Sequence, residues 1–180
     1  EKLRGLGVTV HVSDPHTLDD VAEYAETLGR LLNVQESARQ TAERIREGKR
    51  RVQEAVQGKP RKKVYLEFSP GFTVGEGTYL HEMVELAGGE NVAAGKEGWF
   101  PVDEEAVIAA NPDVIIVSES DAGMPDIAAD ILRRPGWENI AAVREGNIFA
   151  VDTNLVSRPG PRLIEGLRAI AAAIHPDLDG

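Results

Sequence analysis

The stretch that decides the fold is Asp113-Val114-Ile115-Ile116-Val117, a nearly continuous run of apolar, β-branched residues. A strand without apolar–polar alternation is typical of a parallel sheet, where both faces are covered. Around it, strands are predicted over residues 64–68 and 147–151, and helices alternate with these strands. The predicted helices cover residues 78–87, 104–110, 125–132 and 160–174. From residue 64 onward, this alternation predicts an α/β fold with a parallel sheet flanked by helices.

Upstream of the sheet the sequence predicts two helices and one short strand. Thr17 begins the first helix and forms, with Asp20 three residues later, a variant of the capping box. Residues 35–57 make a longer helix with one narrow apolar stripe and a charged remainder. Gly48, near its middle, lowers helix propensity by about 1 kcal/mol relative to Ala and favours a bend. Residues 8–12 alternate in polarity, which predicts a strand.

The chain therefore divides into three predicted parts. Residues 1–14 contain the short strand, residues 15–59 form a helical connector, and residues 60–180 form the α/β lobe. The first residues have the character of a helix end. We therefore expect a chain cut from a longer precursor, with any targeting signal in the missing part.

Composition excludes several classes of function. The 180 residues include 20 basic and 30 acidic side chains, which gives a net charge of −10. Nucleic-acid binding is disfavoured, because it requires a basic surface. The chain has no cysteine, which excludes a disulfide scaffold, a thiolate metal site and a cysteine nucleophile. Residues 35–63 hold ten basic and four acidic residues, a local charge of +6, and we interpret this run as a solvated helix face.

The residues for an enzyme are sparse. No serine lies in a G-x-S-x-G turn, and no phosphate-binding loop is present. His81 and Glu85 share a helix face as two metal ligands would, but the second histidine of the metalloprotease motif is missing. A metal-dependent α/β enzyme remains as an alternative, and it would use Glu67, Glu76, His81 or Glu105.

Ligands of parallel α/β sheets collect at the carboxyl ends of the strands. In this chain those ends are the loops over residues 69–76, 118–124 and 152–159. A signalling domain of the response-regulator type would place several acids and a lysine there. Only Asp152 closely follows a strand in this way, and these loops contain no lysine.

The loops carry aromatic and basic side chains instead. Phe72 follows the first strand of the lobe, and Trp99 lies in a second loop rich in glycine. Aromatic residues are only 5% of the chain, and exposed loop aromatics usually serve binding. Arg158 precedes the last helix and could donate hydrogen bonds to a ligand. These residues favour a binding site over a catalytic one.

Two segments give the sequence a family resemblance. Gly88-Gly89-Glu90-Asn91-Val92 and Asn111-Pro112-Asp113-Val114-Ile115-Ile116 resemble the C-terminal lobe of the substrate-binding proteins of ABC importers for cobalamin, iron–siderophores and haem. The helix from Thr17 to Gly29, and the stretches over residues 99–107 and 158–163, resemble the same class. The likeness covers nearly the whole chain in the right order.

The resemblance implies a fold and a ligand site. In this class a rigid helix joins two Rossmann-like lobes, and the ligand lies between them. Phe72 and Trp99 would line that cleft, and Arg158 would point into it. Asn154 matches a position where cobalamin binders have an acid that makes a polar contact. Most of the N-terminal lobe would be absent, with residues 8–12 as its last strand.

The resemblance also implies partners and a location. Glu105, with Glu104 beside it, matches the glutamate that docks onto an arginine of the membrane permease. The chain would capture a cobalamin or a ferric siderophore and deliver it to that ABC permease, without catalysis, metal or cofactor. Haem is less favoured, because no Tyr or His lies in a cleft loop. The protein would work in the periplasm or on the outer face of the cytoplasmic membrane, reaching the membrane only through the permease or a lost lipid anchor.

Overall fold

The structure is a computed structural model that describes residues 2–119 and 126–178. Three helices come first: α1 (Lys2–Gly5), α2 (Leu18–Leu32) and α3 (Gln35–Val56). The later helices are α4 (Tyr79–Leu86), α5 (Glu104–Ala110), α6 (Ile127–Ile131), α7 (Ala141–Glu145), α8 (Thr153–Val156) and α9 (Leu163–Ile174). The strands are β1 (Lys62–Glu67), β2 (Phe72–Val74), β3 (Gly89–Asn91), β4 (Trp99–Pro101), β5 (Val114–Ser118) and β6 (Ile148–Val151). A 3-10 turn covers Trp137–Asn139.

The main sheet is parallel, as the sequence predicts. Four strands lie in the order β3-β1-β5-β6, and every neighbouring pair runs in the same direction. β5 is a central strand, and Ile115 and Ile116 point to opposite faces with no exposed surface. This burial on both faces explains the unbroken apolar run at the heart of the sequence. The α/β prediction is confirmed.

Each face of the sheet has its own core. Val64 and Leu66 of β1 belong to the larger core, which is completed by residues of α2, α3, α4 and α9. Tyr65, between them, points to the other face and packs with Ile115 and Trp137. Because strand side chains alternate between faces, the next residue of β1 after Leu66, Glu67, lies on the same face as Tyr65. Glu67 therefore brings a carboxylate to the smaller core.

Helix α2 begins as the sequence predicts and is tied to the lobe. Thr17 and Asp20 form the full capping box. The Glu82 carboxylate accepts a hydrogen bond of 2.7 Å from the Leu18 backbone N–H. Lys49 of α3 lies between two acids, 2.7 Å from Asp19 and 3.3 Å from Glu82. Burial lowers the pKa of Lys49, but these partners outweigh burial and leave that pKa above its usual value.

Gly48 has a packing role. Helix α3 runs unbroken through it. A Cβ atom added at Gly48 would lie 2.3 Å from Cγ2 of Ile164, at the start of α9. The contact between α3 and α9 therefore requires the absence of a side chain here, which gives a reason for a glycine in the middle of a helix.

The strand predicted over residues 8–12 is wrong. No strand is assigned there, and this stretch pairs with no strand in the described part of the chain. Among the described residues, its one backbone hydrogen bond joins the Val8 N–H to the Leu3 carbonyl, within a turn. Alternating polarity favours an extended backbone, but a strand also requires a hydrogen-bonded neighbour.

Candidate functional site

The two predicted ligand aromatics lie on one small sheet. Phe72 begins β2 and Trp99 begins β4, and these strands pair antiparallel. The sequence predicts loops at both places, and this prediction is wrong for the residues that form the strands. Phe72 pairs with Pro101, and Val74 pairs with Trp99. Positions two residues apart share a face, so Phe72 and Trp99 lie on the same side of what we call the aromatic ribbon, residues 72–74 and 99–101.

Both aromatics are available to a ligand. The exposed fraction is 43% for Phe72 and 50% for Trp99. Large apolar side chains that share an exposed face are typical of a binding surface. Thr73 and Phe100, on the other side of the ribbon, are more buried, because Thr73 donates a hydrogen bond of 2.7 Å to the Leu66 carbonyl of β1. The ribbon is thus fastened to the sheet by its inner side.

Gly75 allows the two chain segments to approach each other closely at the end of the ribbon. The Gly75 N–H donates to the Gly98 carbonyl over 2.9 Å, and the Glu76 N–H donates to the Lys96 carbonyl over 2.8 Å. A Cβ atom at Gly75 would lie 1.8 Å from the Lys96 carbonyl oxygen. Because that neighbour is backbone, it could not move aside for a side chain. The glycine-rich sequence around residues 71–77 therefore serves the pairing of the two aromatic strands.

A small cavity lies behind the ribbon. Its volume is about 90 Å³, and its lining includes Tyr65, Thr73, Phe100 and Val107. Pockets that enclose drug-sized ligands have volumes of about 300–1,000 Å³. A cobalamin or a ferric chelate therefore cannot enter this cavity. Phe72 and Trp99 lie on the exposed side of the ribbon, outside this cavity.

The carboxyl ends of three strands are joined by side-chain hydrogen bonds. Ser118, at the end of β5, donates to the Phe68 carbonyl just beyond β1, over 3.3 Å. Thr153, just beyond β6, donates to the Glu119 carbonyl over 3.2 Å. These ends meet at one edge, as the predicted parallel sheet requires. Residues 120–124 of the predicted ligand loop lie outside the described residues.

The other two predicted ligand residues lie beyond β6, separated from β1 by β5 in the sheet order. The Asn154 side chain is turned back, and its amide donates to the Asp152 carboxylate over 3.0 Å. Asp152 also caps α8 through the Asn154 N–H, which is a structural use for this acid. Arg158 is exposed and has no ion-pair or hydrogen-bond partner for its guanidinium within the described residues.

The two predicted docking acids follow the ribbon directly. Glu104 and Glu105 lie in the first turn of α5, which begins three residues after the end of β4, and both are exposed. Asp103 caps this helix by accepting the Ala106 N–H over 3.1 Å. Since the cap is supplied by Asp103, the other two carboxylates interact favourably with the helix dipole and still face solvent.

Sequence reasoning missed the ion pair beneath the ribbon. The Glu67 carboxylate is fully buried and is bound by both terminal nitrogens of Arg134, over 2.7 and 2.8 Å. Tyr65 donates a further hydrogen bond of 2.8 Å, and the Gly71 N–H donates one of 2.9 Å. The hydrogen bonds that Arg134 donates to Glu67 raise the pKa of Arg134, and burial together with the Glu67 charge raises the pKa of Tyr65. One signal was available, because an acid in a strand that is otherwise buried requires a buried partner.

Three of the four residues of the metal-enzyme alternative have other partners, and Glu105 is exposed. Glu67 accepts two hydrogen bonds from Arg134, one from Tyr65 and one from Gly71. Glu76 accepts the Gly95 N–H over 3.1 Å. His81 contacts the Asn91 side chain at 3.3 Å. Over residues 2–119 and 126–178, no group of three or more His, Asp or Glu side chains is placed to hold a metal ion.

In the same ranges, no helix has the length and apolar character needed to cross a bilayer.

The structure is an α/β lobe preceded by two long helices, with two exposed aromatics on a separate two-stranded sheet. Comparison with known families identifies its class. A family model described as periplasmic binding protein matches residues 1–155. The chain therefore belongs to the periplasmic binding protein family, and the resemblance to importer substrate-binding proteins is confirmed.

Individual relatives agree with this assignment. The uncharacterized ABC transporter substrate-binding lipoprotein YvrC of Bacillus subtilis is 32% identical over 98% of this chain and 57% of its own. A cobalamin-binding protein of Halobacterium salinarum is 32% identical over 97% of this chain and 49% of its own. The solved structure of a possible iron-binding periplasmic protein from Staphylococcus epidermidis is 28% identical, with a TM-score of 0.83, and covers 97% of this chain and 69% of that one. The chain spans about half the length of the curated relatives it matches.

Proposed function

We propose that this chain is part of the substrate-binding component of an ABC importer, and that it holds a cobalamin or a ferric siderophore. In this proposal residues 60–180 form the ligand lobe, and the helices within residues 15–59 connect it to a second lobe. The observation that carries the proposal is the aromatic ribbon, where Phe72 and Trp99 are exposed on one face. The names of the curated relatives support the class of ligand.

The geometry of the ribbon suits a large, rigid ligand. Two aromatic side chains that are fixed by strand pairing offer a broad apolar surface and lose little conformational freedom when a ligand binds. The exposed guanidinium of Arg158 supplies hydrogen-bond donors for amide, phosphate or hydroxamate oxygens. Asn154 has to give up its contact with Asp152 before its amide can serve a ligand, so we assign it the smaller contribution.

The test is a titration of the protein expressed from its complete native gene, with the proposed second lobe present, and it uses three probes: cyanocobalamin, the ferric hydroxamate ferrichrome, and haemin. We expect saturable binding of the first or the second. Trp99→Ala and Phe72→Ala should each raise the dissociation constant about tenfold, the equivalent of about 1.4 kcal/mol. Leu32→Ala is the matched control, because Leu32 is an exposed apolar residue of α2 (67%), far along the chain from the ribbon.

Two outcomes of this titration count against the proposal. One is that none of the three probes binds. The other is that a probe binds and the affinity is the same for Trp99→Ala as for Leu32→Ala. Tight binding of haemin alone would keep the importer assignment and replace the ligand.

We also propose that Glu104 and Glu105 contact the permease. Both are exposed on α5 and carry charge that a basic partner surface would recognise. Glu105→Gln should slow uptake by cells while changing ligand affinity less than twofold. The exposed Glu138, in the 3-10 turn, supplies the control substitution Glu138→Gln. Equal uptake by the two variants would contradict the docking role.

This function places the protein outside the cytoplasmic membrane, in the periplasm or on the outer face of the membrane. A relative that is a substrate-binding lipoprotein supports this location. In the proposal, contact with the membrane is made through the permease or through a lipid anchor. Fractionation of cells that express the native gene tests this directly, and recovery in the cytoplasm would contradict it.

A further inference from the structure

We propose that the buried Arg134–Glu67 pair positions the aromatic ribbon, so that Arg134 controls ligand affinity without touching the ligand. For its effect on affinity the inference rests on the proposed function. Its structural part stands on the contacts of the Glu67 carboxylate alone. Arg134 is thus a positioning residue, and Glu67 transmits its effect.

The carboxylate of Glu67 is shared between the core and the ribbon. Oε1 accepts from Arg134 and from the Gly71 N–H, while Oε2 accepts from Arg134 and from Tyr65. The planar guanidinium binds both oxygens at once, which fixes the plane of the carboxylate. The direction in which Oε1 faces Gly71 is therefore set by Arg134.

Gly71 connects this carboxylate to both aromatic strands. Gly71 directly precedes Phe72 and has a left-handed backbone conformation, with φ of 74°. Its carbonyl accepts the Val102 N–H over 2.9 Å, just beyond the strand that carries Trp99. A shift of Gly71 would therefore move the start of β2 and the end of β4 together.

Arg134 is held so that it can do this. Its side chain is only 11% exposed, and it also binds Asp130, one turn earlier along the chain, over 2.8 Å. The guanidinium lies 4.7 Å from the centre of the Trp137 ring, which itself has no exposed surface. The carboxylates of Glu67 and Asp130 and the ring of Trp137 together hold the guanidinium in one orientation. The buried pair is thus a rigid support beneath a surface that has to hold two exposed aromatics in register.

A lysine cannot replace this support. Arg134→Lys keeps the positive charge but offers a single nitrogen, so the plane of the Glu67 carboxylate is no longer fixed. The Gly71 N–H then loses the alignment of its acceptor. We expect the backbone around Gly71 to exchange its amide proton faster and the Trp99 ring to change its surroundings.

The experiment compares three variants of the whole chain by two-dimensional proton–nitrogen NMR. Arg134→Lys should shift the Gly71 amide and the Trp99 indole resonance, and should speed Gly71 amide exchange at least tenfold, the equivalent of about 1.4 kcal/mol. Tyr65→Phe removes one donor to Oε2 and should shift the same resonances less. Lys49→Gln is the matched control, because it breaks a half-buried ion pair with Asp19 and Glu82 away from the ribbon.

The second readout is the affinity for cyanocobalamin, measured well below the thermal midpoint of each variant. We expect about a tenfold rise in the dissociation constant for Arg134→Lys and less than a twofold change for Lys49→Gln. If the unaltered protein does not bind cyanocobalamin, cobalamin fails as the proposed ligand, and the NMR readout still decides the positioning role.

The proposal is overturned if Arg134→Lys lowers the thermal midpoint while the Gly71 and Trp99 resonances stay in place. That result would make the pair a purely structural contact. If Arg134→Lys does not fold, Tyr65→Phe decides by the same two resonances, and unchanged positions in that variant also overturn it.

Discussion

The contact between helices α2 and α3 leads us to predict a change in stability whose sign is opposite to the one that helix propensity predicts. Gly29 lies inside α2 and is buried against α3. A Cβ atom at Gly29 would lie 2.3 Å from Cβ of Ala38. Helix propensity alone predicts that Gly29→Ala stabilises the protein by about 1 kcal/mol.

The structure predicts the reverse. Neither Cβ atom has a torsion angle that could relieve the contact, so the helices have to separate. Overpacking of a well-packed contact costs about 1–3 kcal/mol, and more where only the backbone can move. After subtraction of the gain in helix propensity, we expect Gly29→Ala to lower the free energy of unfolding by about 2 kcal/mol. For a chain of this length that corresponds to a fall of about 4–8 °C in thermal midpoint.

The assay is urea denaturation of four proteins: the unaltered chain, Gly29→Ala, Ala38→Gly and the double variant. Ala38→Gly removes the opposing Cβ and should cost about 1 kcal/mol through helix propensity. The double variant should return close to the stability of the unaltered chain, because the small residue has only changed sides. A coupling energy of about 3 kcal/mol is therefore expected. An increase in stability of Gly29→Ala alone would refute the helix contact.

Three further predictions concern stability. Thr17→Ala removes the capping box of α2 and should lower the free energy of unfolding by about 1 kcal/mol, measured by urea denaturation. Lys49→Met leaves two acids without their cation and should cost about 2 kcal/mol in the same assay, with a smaller loss for Lys49→Arg. Burial, followed by the nearby Lys62 and Lys59, lowers the pKa of His175 from its ordinary value of 6.5. As the pH falls, His175 is therefore protonated at a higher pH in the unfolded chain than in the folded chain. The free energy of unfolding should keep the full contribution of neutral His175 above pH 6.5 and should fall as the pH drops below it. His175→Gln should flatten that dependence, and an unchanged slope would contradict it.

Local signals in the sequence were sufficient for the framework of the fold. The run from Val114 to Val117 is apolar without alternation, and the structure buries it on both faces. Thr17 and Asp20 mark the start of α2 by hydrogen bonds that span three residues. Each of these features is decided by neighbours in sequence, which is why pattern and propensity predict them.

The ribbon and its support depend on partners far apart in the chain. β2 and β4 have three residues each, too few for a period to show, and 24 residues separate them. Glu67 and Arg134 are 67 positions apart. Over residues 8–12 the sequence predicted a strand that the structure does not contain. Alternating polarity favours an extended chain there, but it does not supply the neighbouring strand. Candidate binding residues could thus be named from the sequence, while the surface that joins them could not.

The two tryptophans provide the most direct test of the ligand surface. Trp99 is half exposed on the ribbon, whereas Trp137 is fully buried on the far side of Tyr65. Their indole N–H resonances can be followed together while cyanocobalamin or ferrichrome is added. We expect the Trp99 resonance to shift in a saturable way and the Trp137 resonance to shift far less. Saturable binding that leaves the Trp99 resonance in place would contradict it.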